Sequence, residues 1–254
     1  MAGTVSLRSS LAEAGQAALR AWRLAPLSCG LLTAAMLIPT LVGSQPISIG
    51  LAAPLALGQA AAIIVGWTLL LRFAQDRSGL AGSATDAVKI LASILLSSLF
   101  LSLIVVVLGV VLLGVAGATG LAEGEDLAMA TQAVVVDGGW KTFVLLVLEI
   151  AAVLLVLTLS ARLMAAGPAT VASGRIVSLA ALGFTRGSGL KPAAGLLAVL
   201  APTILLAASA LLLPWTGGWI DWVWAGVLGF IQAPLLAGYA TGLWRAATRE
   251  GGSK

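Results

Sequence analysis

The chain has no histidine, one cysteine and one tyrosine, and only 9% of its residues carry charge. Each shortage closes off a class of chemistry. Without histidine there is no ordinary general base, no usual zinc ligand and no side chain that titrates near neutral pH unaided. With Cys29 alone, neither an intrachain disulfide nor a cysteine-built metal cluster can form. The basic residues stand in ones and twos rather than in runs, so the net charge of +4 does not read as a nucleic-acid footprint. Nucleophile-elbow, phosphate-loop and zinc-protease signatures are missing as well. Gly187-Ser188-Gly189 has no base to activate its serine, and Asp76 and Asp86 lie across an expected loop rather than on one helix face. The sequence is therefore expected to encode a non-enzymatic protein without cofactor or metal.

The scarcity of charge also sets the fold class. A soluble domain keeps roughly a quarter of its residues charged, whereas 60% of this chain is apolar. Between Ala87 and Gly117, thirty-one residues carry a single charge, Lys89, and five more long apolar segments resemble that one. A span needs about 20 apolar residues to cross a hydrocarbon core of roughly 30 Å, so six of them use about half of the chain. The reading is one all-α integral membrane domain covering residues 1–254, with six transmembrane helices and two amphipathic interfacial helices.

Spans are expected at about 26–43, 52–74, 88–117, 140–164, 191–213 and 219–244. A short uncharged turn around Gly43-Ser44-Gln45-Pro46 follows the first, and a loop with Glu123, Glu125, Asp126 and Asp137 follows the third. The third span would be roughly 45 Å long as a helix, so it must tilt, emerge into water or break. Pro39, Pro54, Pro202 and Pro234 are expected to kink four spans. Residues 1–24 place Leu7, Leu11, Ala14, Ala18 and Trp22 at three-and-four spacing, the pattern of an amphipathic helix lying on the membrane surface. Arg8, Glu13, Arg20 and Arg23 interrupt that segment, unlike a cleavable signal. Residues 168–188 hold Arg175 and Arg186 among small apolar side chains and read as a second interfacial helix opened by Pro168.

Sorting charges by these spans puts thirteen of the fourteen Lys and Arg on one side, leaving only Lys141 on the other. The positive-inside rule makes that side cytoplasmic, with both termini on it. Trp140, Trp215, Trp219, Trp222 and Trp224 would form an outer aromatic belt, while Trp22 and Trp244 mark the inner interface. A parallel internal repeat is also visible. Ala17-Ala18-Leu19, Arg23 and Pro39-Thr40 recur 163 residues later as Ala180-Ala181-Leu182, Arg186 and Pro202-Thr203. Gln59-Ala60, Leu70, Arg72, Ala74 and Gly79 recur 173 residues later as Gln232-Ala233, Leu243, Arg245, Ala247 and Gly252.

Arg23, Arg72, Arg162, Arg175, Arg186, Lys191 and Arg245 fall at span ends or on the interfacial helices, a candidate rim for anionic headgroups. Ordinary topogenic anchoring accounts for the same positions. Glu149 is the ionisable residue well inside a span, roughly 12 Å down the fourth span from Lys141. An intramembrane carboxyl is a candidate proton carrier, and equally a neutral group bonded to a neighbouring helix. Two functions follow. One is a scaffold, or a lipid and envelope role, whose basic cytoplasmic face meets membrane lipids or partner proteins. The other is a small proton-coupled transporter or channel using Glu149.

Residues 161–191 add a resemblance. Ala161-Arg162-Leu163, Pro168-Ala169-Thr170-Val171, Ser178-Leu179-Ala180-Ala181-Leu182 and Thr185-Arg186-Gly187 together resemble the cytoplasmic link of a bacterial inner-membrane family. That family is the membrane domain fused to some glycerophosphodiester phosphodiesterases, with its stand-alone relatives. The resemblance implies about six spans, an amphipathic N-terminal segment and an envelope or lipid-related setting in the bacterial inner membrane. Gly183-Phe184 stands where relatives often carry Ser-Trp, and no soluble phosphodiesterase is present, so that catalysis does not transfer.

Overall fold

The computed structural model describes residues 7–43, 49–77, 82–118, 139–184, 188–212 and 219–251. Among them every regular element is a helix. In chain order these are α1 (Leu7–Leu24), α2 (Pro26–Gly43), α3 (Ile49–Ala74), α4 (Ser83–Ala118) and α5 (Trp140–Leu163). Two short helices follow, α6 (Ala166–Ser173) and α7 (Ala181–Phe184), then α8 (Lys191–Leu212). The chain closes with α9 (Trp219–Gly226), a π-helical segment (Val227–Gln232) and α10 (Ala233–Gly251). Five stretches are long and apolar enough to cross a membrane: Leu51–Ala74, Ser83–Gly117, Phe143–Ser173, Lys191–Ala210 and Trp219–Thr248. α2 contributes a shorter apolar stretch, Pro26–Ile38. The turn at 44–46, the acidic loop with Glu123, Glu125, Asp126 and Asp137, and Arg186, Trp215 and Lys254 lie outside the described residues, as do the side chains of Leu7, Pro39 and Lys141.

α4 resolves the length problem by not breaking. It holds no proline and runs unbroken for 36 residues, about 54 Å at 1.5 Å per residue. Its first turns carry Asp86 and Lys89, whose charges need polar surroundings. Beyond them Leu95, Leu99, Leu103, Val106 and Val110 are exposed, as are Val147, Ile150 and Val153 on α5. A water-facing surface this apolar would be an aggregation liability. In hydrocarbon it needs no cover.

The prolines act differently from one another. α3 and α8 continue through Pro54 and Pro202. In the last helix, a π-helical segment ends two residues before Pro234. In an α-helix the Phe230 carbonyl would accept from the N–H of residue 234, but proline has none. The indole N–H of Trp22 donates to that carbonyl instead. Trp22, expected to mark the inner interface, thus fills a gap that Pro234 leaves.

That bond belongs to a larger packing seam that corrects the reading of residues 1–24. α1 makes its most extensive contact with α10. Ser10 faces Gly242, Ala14 faces Gly238 and Trp22 reaches Phe230, so the two helices run antiparallel. A Cβ on Gly238 would lie 2.5 Å from the Ala17 Cβ and 2.8 Å from the Ala14 Cα. Only glycine permits that approach, and Gly238 and Gly242 are four apart, on one helix face. Ser10, Ala14, Ala17 and Ala18 are consequently buried in the bundle. Of the stripe expected to rest on lipid, Ala14 and Ala18 rest on protein and Leu11 packs beside them, while Trp22 stays 42% exposed.

The second expected surface helix is also altered. It starts at Ala166 and stops at Ser173, where Gly174 takes the left-handed conformation (φ 65°) and caps it. Pro168 still falls in the first turn, where its missing N–H costs nothing. Ala166, Pro168, Ala169, Thr170 and Val171 are buried, packed among α3, α4 and α10 rather than lying on a surface. Small side chains again allow the insertion. Polar ties complete the bundle: the Tyr239 hydroxyl donates to the Pro192 carbonyl at 2.6 Å, and the Gln232 amide joins Thr203 to the Val199 carbonyl.

The seam makes a direct prediction. Gly238→Ala should destabilise the protein by about 1–3 kcal/mol through overpacking, measured as loss of helicity against increasing SDS in mixed micelles. Gly226→Ala, where an added Cβ meets nothing within 4 Å, should leave the transition unchanged or raise it.

Candidate functional site

The ends of α3, α5 and α10 meet the starts of α4 and α8 in one charged region. Arg72, in the last turn of α3, pairs with Asp86 in the first turn of α4. Their side chains are only 9% and 12% exposed, so the pair is effectively internal. Two residues past α3, Asp76 receives Arg20 from α1 at 2.9 Å and Arg245 from α10 at 3.3 Å. The Arg245 guanidinium also lies 4.0 Å from the Glu13 carboxylate. Two arginines and two carboxylates thus neutralise one another where three helices converge.

Asp76 is strained. Its φ is +62°, the only positive value at a non-glycine among the described residues. The conformation ends α3, with the Arg77 N–H donating back to the Arg72 carbonyl at 2.9 Å. Such caps favour glycine, and an L-residue there costs about 1–2 kcal/mol. Glycine could not bridge two guanidiniums. Backbone strain of this kind is kept where the side chain serves a purpose.

A second group of cations secures α6. The Arg77 guanidinium donates to the carbonyls of Val171 (2.7 Å) and Ala172 (3.3 Å), and the Lys89 ammonium donates to that of Gly174 (2.8 Å). These are the last carbonyls of a helix, left unpaired by helix geometry and partly negative. Gln75 reaches the Pro168 carbonyl from the same turn at 2.8 Å.

The candidate rim therefore divides. Arg72 and Arg245 are held in ion pairs, and Arg162 turns to the Gly189 carbonyl at 3.4 Å. Arg23, Arg175 and Lys191 are exposed, and their charged groups have no partner among the described residues. Arg8 shares that condition. Arg20, Arg77, Lys89, Glu13, Asp76 and Asp86 do structural work that charge counting did not single out. The available signal was the presence of four carboxylates, Glu13, Asp76, Asp86 and Glu250, on the otherwise basic side.

The recess bounded by Glu13, Gln16, Arg20, Thr241 and Arg245 has a volume of about 10 Å³, room for about one water. Among the described residues no three His, Cys, Asp or Glu side chains are grouped to hold a metal ion. Glu149 is half-buried midway along α5 and lines none of the three crevices between α4 and α5. The structure does not bring it to the charged region.

The two kinds of ion pair should respond differently. Asp86→Ala leaves the Arg72 guanidinium buried without its carboxylate and should cost about 3–5 kcal/mol. Asp76→Asn keeps a residue that tolerates positive φ and removes pairs that are largely solvent-exposed, a loss of under about 1 kcal/mol. SDS unfolding in mixed micelles orders the two. Comparison of the chain with protein-family models, with curated proteins and with solved structures finds no match.

Proposed function

We propose that the chain is a non-enzymatic, six-span protein of the bacterial inner (cytoplasmic) membrane, with both termini in the cytoplasm. It serves as a scaffold, or in lipid and envelope homeostasis, and its basic cytoplasmic face meets anionic headgroups or partner proteins. One observation carries this reading: among the described residues the cations split into those spent on internal pairs and four left exposed. Arg8, Arg23, Arg175 and Lys191 carry charge that no side chain among the described residues neutralises. Cations near a membrane surface are attracted to acidic lipids by about 1 kcal/mol each.

α2 is the sixth crossing. It packs along α3 and along the π-helical segment, as a neighbouring span would. An even number of crossings keeps both termini on the basic side, as the positive-inside rule demands. The internal repeat gains a physical rationale in its second copy. Thr203 and Gln232, two of the residues that define it, bond to each other at 2.6 Å between α8 and the last helix. Their counterparts in the first copy are Thr40 and Gln59.

The transport alternative requires a polar route to Glu149. Two crevices beside the middle of α4 and α5 are lined by Val, Leu, Ala and Gly with Ser160 alone contributing a hydroxyl, a third towards the basic end adds Ser93, Ser97 and Ser98, and Glu149 lines none of the three. That favours the headgroup-facing reading.

Two experiments test it. A periplasm-active reporter fused after Lys254 should be silent, and the same reporter inserted near Glu125 should be active; the reverse pattern sinks the topology. In nanodiscs assembled from equal phosphatidylglycerol and phosphatidylcholine, the protein should enrich the anionic lipid around itself. Replacing Arg8, Arg23, Arg175 and Lys191 together with Gln should abolish that enrichment while leaving helicity intact. Equal lipid shells for both proteins would contradict the reading.

A further inference from the structure

We propose, on the strength of that headgroup-facing reading, that the link 174–180 and the trough beside it form a site for one anionic phospholipid of the surrounding bilayer. The link is not helical, yet it is fixed from behind. Lys89 donates to the Gly174 carbonyl, Ser93 donates to the Val177 carbonyl, and the Ser97 and Ser178 hydroxyls lie 3.3 Å apart. Lys89, Ser93 and Ser97 recur every fourth residue, so a single polar stripe of α4 holds the segment. The Val177 N–H adds a bond to the Thr170 hydroxyl at 3.0 Å.

With its backbone held, the link turns three side chains outward. Arg175 is exposed, and Ile176 and Leu179 are 52% and 45% exposed. A cation beside bare aliphatic side chains on one short link suits neither water nor hydrocarbon alone. It suits the boundary, where the guanidinium reaches phosphate and the aliphatic groups enter the acyl layer.

The neighbouring surface continues the pattern. A trough of about 420 Å³ lies between Leu96, Leu99, Phe100 and Leu103 of α4 and Ser178 and Leu179 of the link. That volume falls within the roughly 300–1,000 Å³ of small-molecule sites. Along α4 the order is fixed by the bonds above. Gly174 sits at Lys89, Ser178 at Ser97, and the leucines lead on to Leu103. Cation, hydroxyl pair and apolar trough follow the order of phosphate, glycerol ester and acyl chain in a phospholipid. Charge agrees, because Arg77 and Lys89 already satisfy the α6 carbonyls, leaving Arg175, next to Gly174, as positive charge with no counter-ion among the described residues.

The test uses the full chain, purified and delipidated in mild detergent, with lipid binding followed by native mass spectrometry. Phosphatidylglycerol and phosphatidylcholine with identical acyl chains separate headgroup from tail. The unmodified protein should retain one phosphatidylglycerol in preference to phosphatidylcholine. Arg175→Gln should weaken phosphatidylglycerol binding about fivefold, more than Lys191→Gln does, without moving phosphatidylcholine. Leu103→Trp, which fills the trough, should weaken both lipids. If Arg175→Gln and Lys191→Gln weaken phosphatidylglycerol equally, the headgroup-facing reading survives and this site does not. If the unmodified protein shows no preference between the lipids, both fall. Should Leu103→Trp fail to fold, the Arg175→Gln comparison decides alone, since that side chain is exposed.

Discussion

At Gly238 and Gly242 two absent Cβ atoms let α1 lie against α10 almost backbone to backbone, and much of the charged end depends on that contact. The seam places Glu13 beside Arg245 and brings Arg20 within reach of Asp76. It also sets Trp22 under the carbonyl that Pro234 leaves open. Each polar bond is modest, and several are partly exposed. Their positions follow from the steric match of small residues on both helices, the means by which helices associate where hydrophobic driving force is weak.

Electrostatics then sorts the basic side into two populations. Arg72, inside the protein, must have a counter-charge, because an isolated buried guanidinium would cost several kcal/mol. Asp86 supplies it. Arg20 and Arg245 share Asp76, while Arg77 and Lys89 satisfy the carbonyl end of α6. Arg8, Arg23, Arg175 and Lys191 remain exposed. The first population builds the architecture of this end, and the second is available to anions outside the protein. A rim drawn from sequence position alone mixes the two.

The helices themselves were legible because hydrocarbon thickness imposes a length that apolar runs must match. The spans expected at 140–164 and 191–213 appear as Trp140–Leu163 and Lys191–Leu212. What was not legible was partner choice. Ala14 and Ala18 at helical spacing satisfy an amphipathic pattern equally well whether the opposing surface is lipid or Gly238. The sequence does contain Gly-x-x-x-Gly at 238–242, but such spacing names no partner on its own. Charge counting likewise treats Arg20 and Arg23 alike. Only the left-handed turn at Asp76 shows why one is paired and the other exposed. Gly174, which cuts the second surface helix at Ser173, could be read equally as a helix residue or as a cap until the chain beyond it was placed.

The docking of α1 is the claim on which the rest stands, and a cysteine pair tests it most directly. Across that seam the Arg245 guanidinium lies 4.0 Å from the Glu13 carboxylate, within reach of a short bifunctional thiol reagent. Glu13→Cys with Arg245→Cys, in a Cys29→Ser background that keeps both glycines, should be joined by such a reagent in native membranes and lose both thiols to a maleimide-polyethylene-glycol label. Two thiols that stay unjoined and label from the aqueous side after the same treatment would put α1 on the membrane surface and contradict the account.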